Sequence, residues 1–206
     1  MQKGLFITFE GTDGSGKTTQ IRLVEEYIKK TGREVVLSRE PGGTRVSELI
    51  RDLILSPENT EIVPLTETIL YAASRAQHIA QVIKPAIEAG KVVICDRFVD
   101  SSYAYQGGGR GVDLKIIADI NRLAIEGMIP DITFFLDIEP DIAIERRINA
   151  TGADRIEQEN IDFHRRVYSG YKKMASLYPD RIKTIDANRT IQEISSEINE
   201  YLNELL

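Results

Sequence analysis

Residues 5–18, LFITFEGTDGSGKT, decide the fold of this 206-residue chain. The run begins with five apolar or β-branched residues, which predict a short buried strand. Glycines follow at the spacing of the phosphate-loop pattern G-x-x-x-x-G-K-[ST], in which backbone N–H groups surround phosphate oxygens. The ammonium of Lys17 can reach the β- and γ-phosphates, and the hydroxyl of Thr18 can bind Mg²⁺. The motif predicts a site for a nucleoside triphosphate with Mg²⁺, without fixing what happens to the γ-phosphate.

The overall composition is that of an ordinary soluble globular protein, and the length favours one domain. A net charge of −6 argues against non-specific binding to nucleic acid, which needs a basic face. No apolar run reaches the roughly 20 residues of a membrane span, and MQKGLFITFEG does not fit a signal peptide. The one cysteine, Cys95, lies in an apolar run and is expected to be a buried thiol. We therefore expect a soluble, cytoplasmic protein.

The rest of the chain alternates short apolar runs with longer stretches of helical periodicity. The strand candidates, all rich in β-branched residues, are 5–9, 35–37, 92–95, 132–136 and 182–185. The helix candidates are 17–30, 43 or 44 to 55, 65–89 with a kink or break at Pro85, 113–126, 141–149, 156–177 and 190 to the end. This alternation predicts one α/β domain, a five-stranded parallel sheet flanked by helices on both faces.

Ligands of such sheets bind beyond the carboxyl ends of the strands, so the segments that follow the strands are candidate site segments. Arg39 follows the second strand in REPGGT, and its planar guanidinium suits bidentate phosphate binding. Asp96 and Arg97 follow the third strand; Asp96 can bind Mg²⁺ directly or through water, and Arg97 can bind a second phosphate. The alternatives are a plain turn with a solvated Arg39 and a salt-bridged Asp96–Arg97 pair.

A second group of residues suits a nucleoside. Tyr71 and Arg75 lie four residues apart in a predicted helix, so both side chains can reach one ligand. An aromatic ring beside an arginine can hold a base, although a core tyrosine with a solvated arginine is the more common arrangement. The hydroxyls of DSSYAYQ and the amide of Gln106 can read a sugar or a base edge.

Residues 145–157, ERRINATGADRIE, join two predicted helices through a polar break that contains glycine. A closing segment with arginines can stabilise the charge that spreads over a transferring phosphoryl group and can exclude water. A solvated helical hairpin is the alternative reading of the same pattern.

Taken together, these segments resemble thymidylate kinase, the family that phosphorylates dTMP to dTDP with ATP in dTTP synthesis. The resemblance runs nearly the whole chain through FEGTDGSGKTTQ, REPGGT, YAASRAQH, DRFVDSSYAYQG, DRIEQ and DAN. It implies the P-loop NTPase fold of the nucleoside monophosphate kinases, with residues 1–206 as one domain and a short lid at about 146–156. It also implies ATP and dTMP as substrates, Mg²⁺ as cofactor, and a homodimer. The sequence does not show which helices pair in that dimer, and apolar positions in 44–89 and 113–127 are candidates for the interface.

The resemblance implies roles at matching positions. The catalytic residues it implies are Lys17, Arg97, Arg147, Arg155 and Asp13. The ATP site it implies comprises Gly11, Thr12, Asp13, Gly14, Ser15, Gly16, Lys17, Thr18, Thr19 and Arg146. The dTMP site it implies comprises Asp13, Arg39, Tyr71, Arg75, Arg97, Ser102, Tyr105 and Gln106. The metal ligands it implies are Thr18 and Asp96, with Asp96 binding directly or through water.

Several positions gain a more specific expectation from the resemblance. Some family members carry a catalytic arginine at the loop position that is Gly14 here, so the charge should come from the lid. Arg147 or Arg155 is expected to serve the transition state, and Arg146 to pack on the adenine. Tyr105 is expected to crowd the 2′ position of the sugar. The Glu40-Pro41 peptide is expected to be cis.

Rival functions share part of this pattern. A kinase for another nucleoside monophosphate would have the same fold and loop, but the Tyr71/Arg75 pair and DRFVDSSYAYQ argue against it. A regulatory NTPase would hydrolyse ATP or GTP without an acceptor and would not need arginines at a second site. A P-loop protein without activity fits least well, because Lys17, Thr18 and Asp96 are all present.

Overall fold

The computed structural model describes residues 3–147 and 154–206, and for Arg147 the backbone alone. Within it, five strands form one parallel sheet in the order β2-β3-β1-β4-β5. The strands are β1 (Leu5–Glu10), β2 (Val35–Arg39), β3 (Val92–Asp96), β4 (Ile132–Asp137) and β5 (Ile182–Asp186). The predicted five-stranded parallel sheet is therefore confirmed.

Each strand continues past its predicted carboxyl end, by one residue or, in β2, by two. The added residues are polar, but their backbones still pair with neighbours: Arg39 is in register with Asp96, and Asp137 with Asp186. The predictions stopped where the side chains ceased to be apolar, whereas backbone pairing decides where a strand ends. As a result, several charged side chains lie on the last residue of a strand rather than on a loop.

The helices pack on both faces of the sheet. They are α1 (Lys17–Lys30), α2 (Arg45–Leu55), α3 (Pro64–His78), α4 (Lys84–Glu88), α5 (Val99–Ser102), α6 (Leu114–Ile125), α7 (Pro140–Arg147), α8 (Ile161–Leu177) and α9 (Ile191–Asn203). Two π-helical turns, Ile79–Ile83 and Tyr103–Gly109, follow α3 and α5. None of the helices in the described part of the chain is long and apolar enough to cross a membrane.

The helical stretch 65–89 is broken near Pro85, as expected: the π-helical turn Ile79–Ile83 separates α3 from α4, and Pro85 lies in the first turn of α4. Two other helix predictions need correction. The stretch 99–109 is helical although its glycines gave no helix signal. Helix α8 begins at Ile161 and not at residue 156, because the side chain of Asn160 caps it by accepting from the N–H of Phe163.

The core divides into layers on the two sides of the sheet. Along β1, Ile7 and Phe9 pack against α1 and α9, whereas Phe6 faces the other side with Val93 and Phe98. A further cluster fills the space under α8. Cys95 is fully buried, as predicted, and burial raises the pKa of its thiol well above the usual value. The two-sided burial of the central strands explains why their sequences are almost continuously apolar.

Helix α8 approaches the π-helical turn Tyr103–Gly109 unusually closely. A Cβ built on Gly170 would lie 2.8 Å from the Cα of Ala104, which is closer than ordinary van der Waals contact allows. The glycine therefore lets two backbones meet, and the next residue along α8, Tyr171, packs against Tyr105 of that turn. This contact holds a helix from the end of the chain against the segment that follows β3.

Gly170→Ala is expected to destabilise the protein although alanine favours helices. Overpacking typically costs about 1–3 kcal/mol, against a gain of about 1 kcal/mol in helix propensity. Because the clash involves backbone atoms, we expect the upper half of that cost, and so a net loss of about 1–2 kcal/mol in the free energy of unfolding. Urea unfolding measures it, with Ser169→Ala at an exposed position of the same helix as the control. An unchanged or higher midpoint for Gly170→Ala would contradict the close approach.

Candidate active site

Two cavities adjoin each other at the carboxyl edge of the sheet. The phosphate-loop cavity is lined by Lys17, Thr18, Arg39, Asp96 and Arg146, among others. The tyrosine cavity is lined by Tyr71, Arg75, Ser102, Tyr105 and Gln106, among others. Four charged residues line both cavities and form a shared wall: Asp13, Glu40, Arg51 and Arg97. Residues predicted from distant parts of the sequence thus meet at one edge.

The phosphate loop leads from β1 into α1. Gly16 caps the helix in a left-handed conformation, with a φ of 94° that an L side chain rarely adopts. The buried ammonium of Lys17 donates to the carbonyls of Gly11 at 3.1 Å and Thr12 at 3.2 Å. Burial lowers the pKa of Lys17, and the charge of Arg97 lowers it further. The loop thus combines the N-terminus of a helix with a fixed positive charge, which suits a polyphosphate.

Gly14 has no room for a side chain. Its φ is +85°, and a Cβ built there would overlap the carbonyl oxygen of Ala143 in α7. Helix α7 therefore packs directly on the phosphate loop. A loop arginine at this position is sterically excluded, which gives a physical reason for the glycine.

Arg97, one of the four residues of the shared wall, is held in place by both its backbone and its side chain. Its backbone is left-handed, with a φ of 66°, and its N–H donates to the carbonyl of Phe9 at 2.9 Å. The guanidinium donates to Asp13 at 2.8 Å and to the Tyr171 hydroxyl at 2.9 Å, and it lies 5.1 Å from the centre of the Tyr105 ring. A non-glycine residue with positive φ is a strained conformation that the surroundings must impose.

Glu10 imposes that conformation, and sequence reasoning missed it. Its buried carboxylate accepts the N–H of Phe98 at 2.7 Å, the Ser101 hydroxyl at 2.6 Å and the Tyr171 hydroxyl at 2.9 Å. Burial is the main reason that its pKa rises to about 7, with the charge of Asp100 as a further cause. Tyr171 thus joins Glu10 to the guanidinium of Arg97. The one available signal was a charged residue between an apolar strand and a glycine loop.

Arg39 and Arg51 place two further guanidiniums at the phosphate-loop cavity. Arg39 is half exposed and pairs with Glu48 at 2.8 Å. Arg51, which sequence reasoning missed, donates to the carbonyl of Pro41 at 2.9 Å and lines both cavities. The Glu40-Pro41 peptide between them is cis, as the resemblance predicted.

Arg75 lies deep in the tyrosine cavity and is 2% exposed. Its guanidinium pairs with Glu40 at 2.7 Å and also donates to the Ser102 hydroxyl, the Asn121 side chain and the Phe98 carbonyl. A buried charge needs such partners to offset its desolvation. Tyr71, one turn earlier on α3, lines the same cavity, so the predicted pair does converge on one space.

Asp96 and Thr18, the predicted Mg²⁺ ligands, line the phosphate-loop cavity together. The Oδ1 atom of Asp96 is buried, and no described residue forms a hydrogen bond with it. An unsatisfied buried carboxylate oxygen beside a phosphate site fits a Mg²⁺ ligand, direct or through water. Among the described residues no three His, Cys, Asp or Glu side chains cluster as a metal site. Mg²⁺ on a triphosphate needs few protein ligands, because phosphate and water supply the others.

The three candidate lid arginines have different surroundings. Arg146 lines the phosphate-loop cavity and donates to the Ala187 carbonyl at 2.9 Å. Arg155 is held on α2 and α3: it donates to the Ile54 carbonyl at 2.8 Å and pairs with Glu67 at 2.7 Å. The side chain of Arg147 and residues 148–153, which belong to the predicted lid, lie outside the described residues.

Comparison with known proteins gives one consistent result. The family model described as thymidylate kinase matches residues 9–198. A thymidylate kinase of Pelotomaculum thermopropionicum is 51% identical over 205 residues, which cover 99% of this chain and 95% of the relative. One of Clostridium novyi is 47% identical over 98% of this chain and 100% of the relative. The crystal structure of thymidylate kinase from Ehrlichia chaffeensis superposes with a TM-score of 0.81, at 35% identity over 97% and 99% of the two chains.

Proposed function

The chain belongs to the thymidylate kinase family, enzymes that phosphorylate dTMP to dTDP in dTTP synthesis, and we propose that its two cavities divide the substrates between them. ATP occupies the phosphate-loop cavity, and dTMP occupies the tyrosine cavity. The shared wall of charged residues is the observation that carries this assignment, because it lets a donor and an acceptor phosphate meet. A regulatory NTPase would have no use for the second cavity.

On the donor side, the backbone N–H groups of residues 11–19 surround the ATP phosphates. Lys17 binds the β- and γ-phosphates from its buried position above the loop carbonyls. Thr18 and Asp96 would hold Mg²⁺, which when bound would neutralise phosphate charge. Arg146, at the same cavity, packs on the adenine.

On the acceptor side, Tyr71 stacks on thymine and Arg75 donates to its O4 atom. Ser102 and Gln106 contact the base edge, and Tyr105 crowds the 2′ position so that ribonucleotides are disfavoured. Arg39 and Arg97 bind the dTMP phosphate, and we add Arg51 because it lines both cavities. Asp13, which pairs with Arg97, serves the sugar and the Mg²⁺ network.

Charge repulsion between the two substrates is the obstacle that these residues overcome. Two like unit charges about 4 Å apart repel by roughly 4 kcal/mol at an effective dielectric constant near 20. Lys17, Arg39 and Arg97 surround the reacting phosphates with positive charge and hold donor and acceptor in line. Phosphoryl transfer then needs no covalent enzyme intermediate, because positioning and electrostatics supply the catalysis.

The packing around α7 favours Arg147 over Arg155 as the arginine of the transition state. Arg155 pairs with a carboxylate that is 1% exposed, and removing one partner of such a pair typically costs about 3–5 kcal/mol. Arg155 would have to leave that pair to reach a phosphate. Position 147 lies one helical turn beyond Ala143, whose carbonyl contacts the phosphate loop at Gly14. We propose that α7 brings Arg147 to the transferring phosphoryl group at the start of the lid.

We further propose that the chain is one domain that works in the cytoplasm as a homodimer. Helices α2, α3 and α6 pack side by side and leave large apolar side chains at least 40% exposed. These include Leu49, Leu53, Leu65, Ile69, Ile116 and Leu123. Large apolar side chains exposed on neighbouring helices are typical of a subunit interface.

An assay of ATP and Mg²⁺ with each nucleoside monophosphate tests the function. We expect dTMP to give the highest kcat/KM, and Arg97→Ala to lower that value at least about 100-fold, because charge-assisted hydrogen bonds to the phosphate are lost. Arg22→Ala, at an exposed position on α1 away from both cavities and from the proposed dimer surface, is the control. AMP or CMP as the preferred acceptor would contradict the assignment of the tyrosine cavity. A near-normal Arg97→Ala enzyme would contradict the phosphate role.

The two lid arginines should differ in kinetics. Arg147→Ala is expected to lower kcat about 1,000-fold or more with little change in KM, as removal of a transition-state arginine does. Arg155→Ala is expected to lower stability and raise KM for dTMP, because it breaks the pair with Glu67. Steady-state kinetics and urea unfolding of both variants separate the cases. A large kcat loss for Arg155→Ala with a mild effect for Arg147→Ala would reverse the assignment.

A charged substitution tests the proposed dimer surface. Ile69→Glu places a carboxylate in the centre of the proposed interface and is expected to give monomers. Leu177→Glu, at an apolar position on α8 that is at least as exposed, should leave the dimer intact. Light scattering after gel filtration measures the mass of each form. A monomeric wild-type protein would rule out the homodimer, and a dimeric Ile69→Glu variant would place its interface elsewhere.

A further inference from the structure

Glu67 is a buried carboxylate that the proposed mechanism does not use. It is 1% exposed and lies one helical turn before Tyr71 on α3, so that Glu67, Tyr71 and Arg75 follow one another at i, i+4 and i+8. Tyr71 and Arg75 line the tyrosine cavity, whereas Glu67 does not. Its contact with that cavity is indirect, through Gln106, whose amide nitrogen donates to the Oε1 atom of Glu67 at 3.0 Å.

Two arginines keep the Glu67 carboxylate charged. Arg155 donates to Oε2 at 2.7 Å, and Arg110 donates to Oε1 at 3.2 Å. Arg110 also pairs with Glu159, so the four charges of the cluster balance. A buried carboxylate between two guanidiniums is ionised, because the protonated form would leave two buried cations without their partner.

An ionised carboxylate can only accept hydrogen bonds, and this fixes the amide of Gln106. The NH₂ end of the amide must face Glu67, since a carbonyl oxygen there would oppose another acceptor. The carbonyl oxygen of Gln106 is therefore the end of the amide that is left for a ligand in the tyrosine cavity. Without Glu67, the two ends of a glutamine amide have nearly the same shape and could exchange places.

Arg75 supplies the complementary half of the pattern. Glu40 holds the Arg75 guanidinium, which can only donate, at the same cavity. The cavity thus presents a donor next to an acceptor. Thymine and uracil match it with the O4 carbonyl and the adjacent N3–H. Cytosine offers an amino group and an unprotonated N3, so that donors would meet at Arg75 and acceptors would meet at Gln106.

We propose that Glu67 is a positioning residue for base specificity: by fixing the amide of Gln106 with its carbonyl toward the base, it makes the enzyme select an N3–H donor and reject cytosine. This inference rests on the proposed binding of dTMP in the tyrosine cavity. It adds a residue that never touches the nucleotide yet determines which hydrogen-bonding edge is accepted.

Glu67→Gln tests the proposal, because the two residues are nearly the same size. The new amide can present its NH₂ group to Gln106, which then turns its own NH₂ group toward the base and tolerates cytosine. We expect the ratio of kcat/KM for dTMP to that for dCMP to fall about tenfold or more, the effect of one exchanged hydrogen bond. The ratio for dTMP to dUMP should stay unchanged, since both bases carry the N3–H.

If Glu67 has a structural role only, Glu67→Gln gives a different result. The substitution would then lower kcat/KM for dTMP, dUMP and dCMP by similar factors and leave both ratios unchanged. That outcome overturns the proposal. Glu159→Gln is the matched control, because it removes the other ion pair of Arg110 without contacting Gln106. We expect Glu159→Gln to keep both ratios; a shift in the dCMP ratio equal to that of Glu67→Gln would also overturn the role of Glu67.

The wild-type enzyme provides a second test that does not depend on folding of the variant. N3-methyl-dTMP lacks the N3–H donor but keeps the ring and the phosphate, and we expect it to bind at least about tenfold more weakly than dTMP. Equal binding would overturn the proposal. A wild-type protein that does not phosphorylate dTMP at all would instead refute the proposed function, so the two failures are distinguishable.

Discussion

A buried carboxylate at the end of the central strand, Glu10, is the interaction on which the geometry of the site depends. Strand β1 carries the phosphate loop, and β3, its neighbour in the sheet, carries Arg97. Glu10 accepts the N–H that follows Arg97 and thereby holds the left-handed turn at the end of β3. The phosphate loop and Arg97 are consequently fixed to each other through two paired central strands of the sheet. This is the arrangement that the proposed transfer between a donor and an acceptor phosphate requires.

A buried carboxylate that holds hydrogen-bond donors in place occurs three times in this site. Glu10, Glu40 and Glu67 are each at most 4% exposed, and each fixes groups that donate hydrogen bonds. Glu10 acts on Arg97 through Tyr171, Glu40 pairs with Arg75, and Glu67 fixes Gln106. A buried carboxylate is costly unless its acceptors are satisfied, so it restricts the donors around it to a few arrangements. Specific recognition of a small polar ligand needs such restriction, because freely rotating side chains would accept several ligands.

The sequence predicted the fold well because the fold follows from local signals. Alternating strands and helices, the glycine loop and the residues after each strand all lie within short windows, and Lys17, Arg97 and Tyr71 were found there. The supporting residues were missed because their roles depend on contacts between distant parts of the chain. Glu10 and Tyr171 are 161 positions apart, and nothing near either residue indicates the other. The helical segment after β3 was missed for a related reason: its glycines permit close packing on α8, which overrides their poor helix propensity.

Gly14 shows how one packing contact can explain two features that look independent in the sequence. The phosphate loop has no arginine, whereas α7 carries two at its carboxyl end, Arg146 and Arg147. Helix α7 lies so close to the loop that the Ala143 carbonyl occupies the space where a side chain at position 14 would begin. That contact excludes a side chain at position 14 of the loop, and positions 146 and 147 follow it within one turn of the same helix. An arginine at position 14 would therefore require α7 to move away from the loop. The arginines of α7 would move away with it, so that a positive charge added to the loop would be accompanied by the loss of positive charge from the helix.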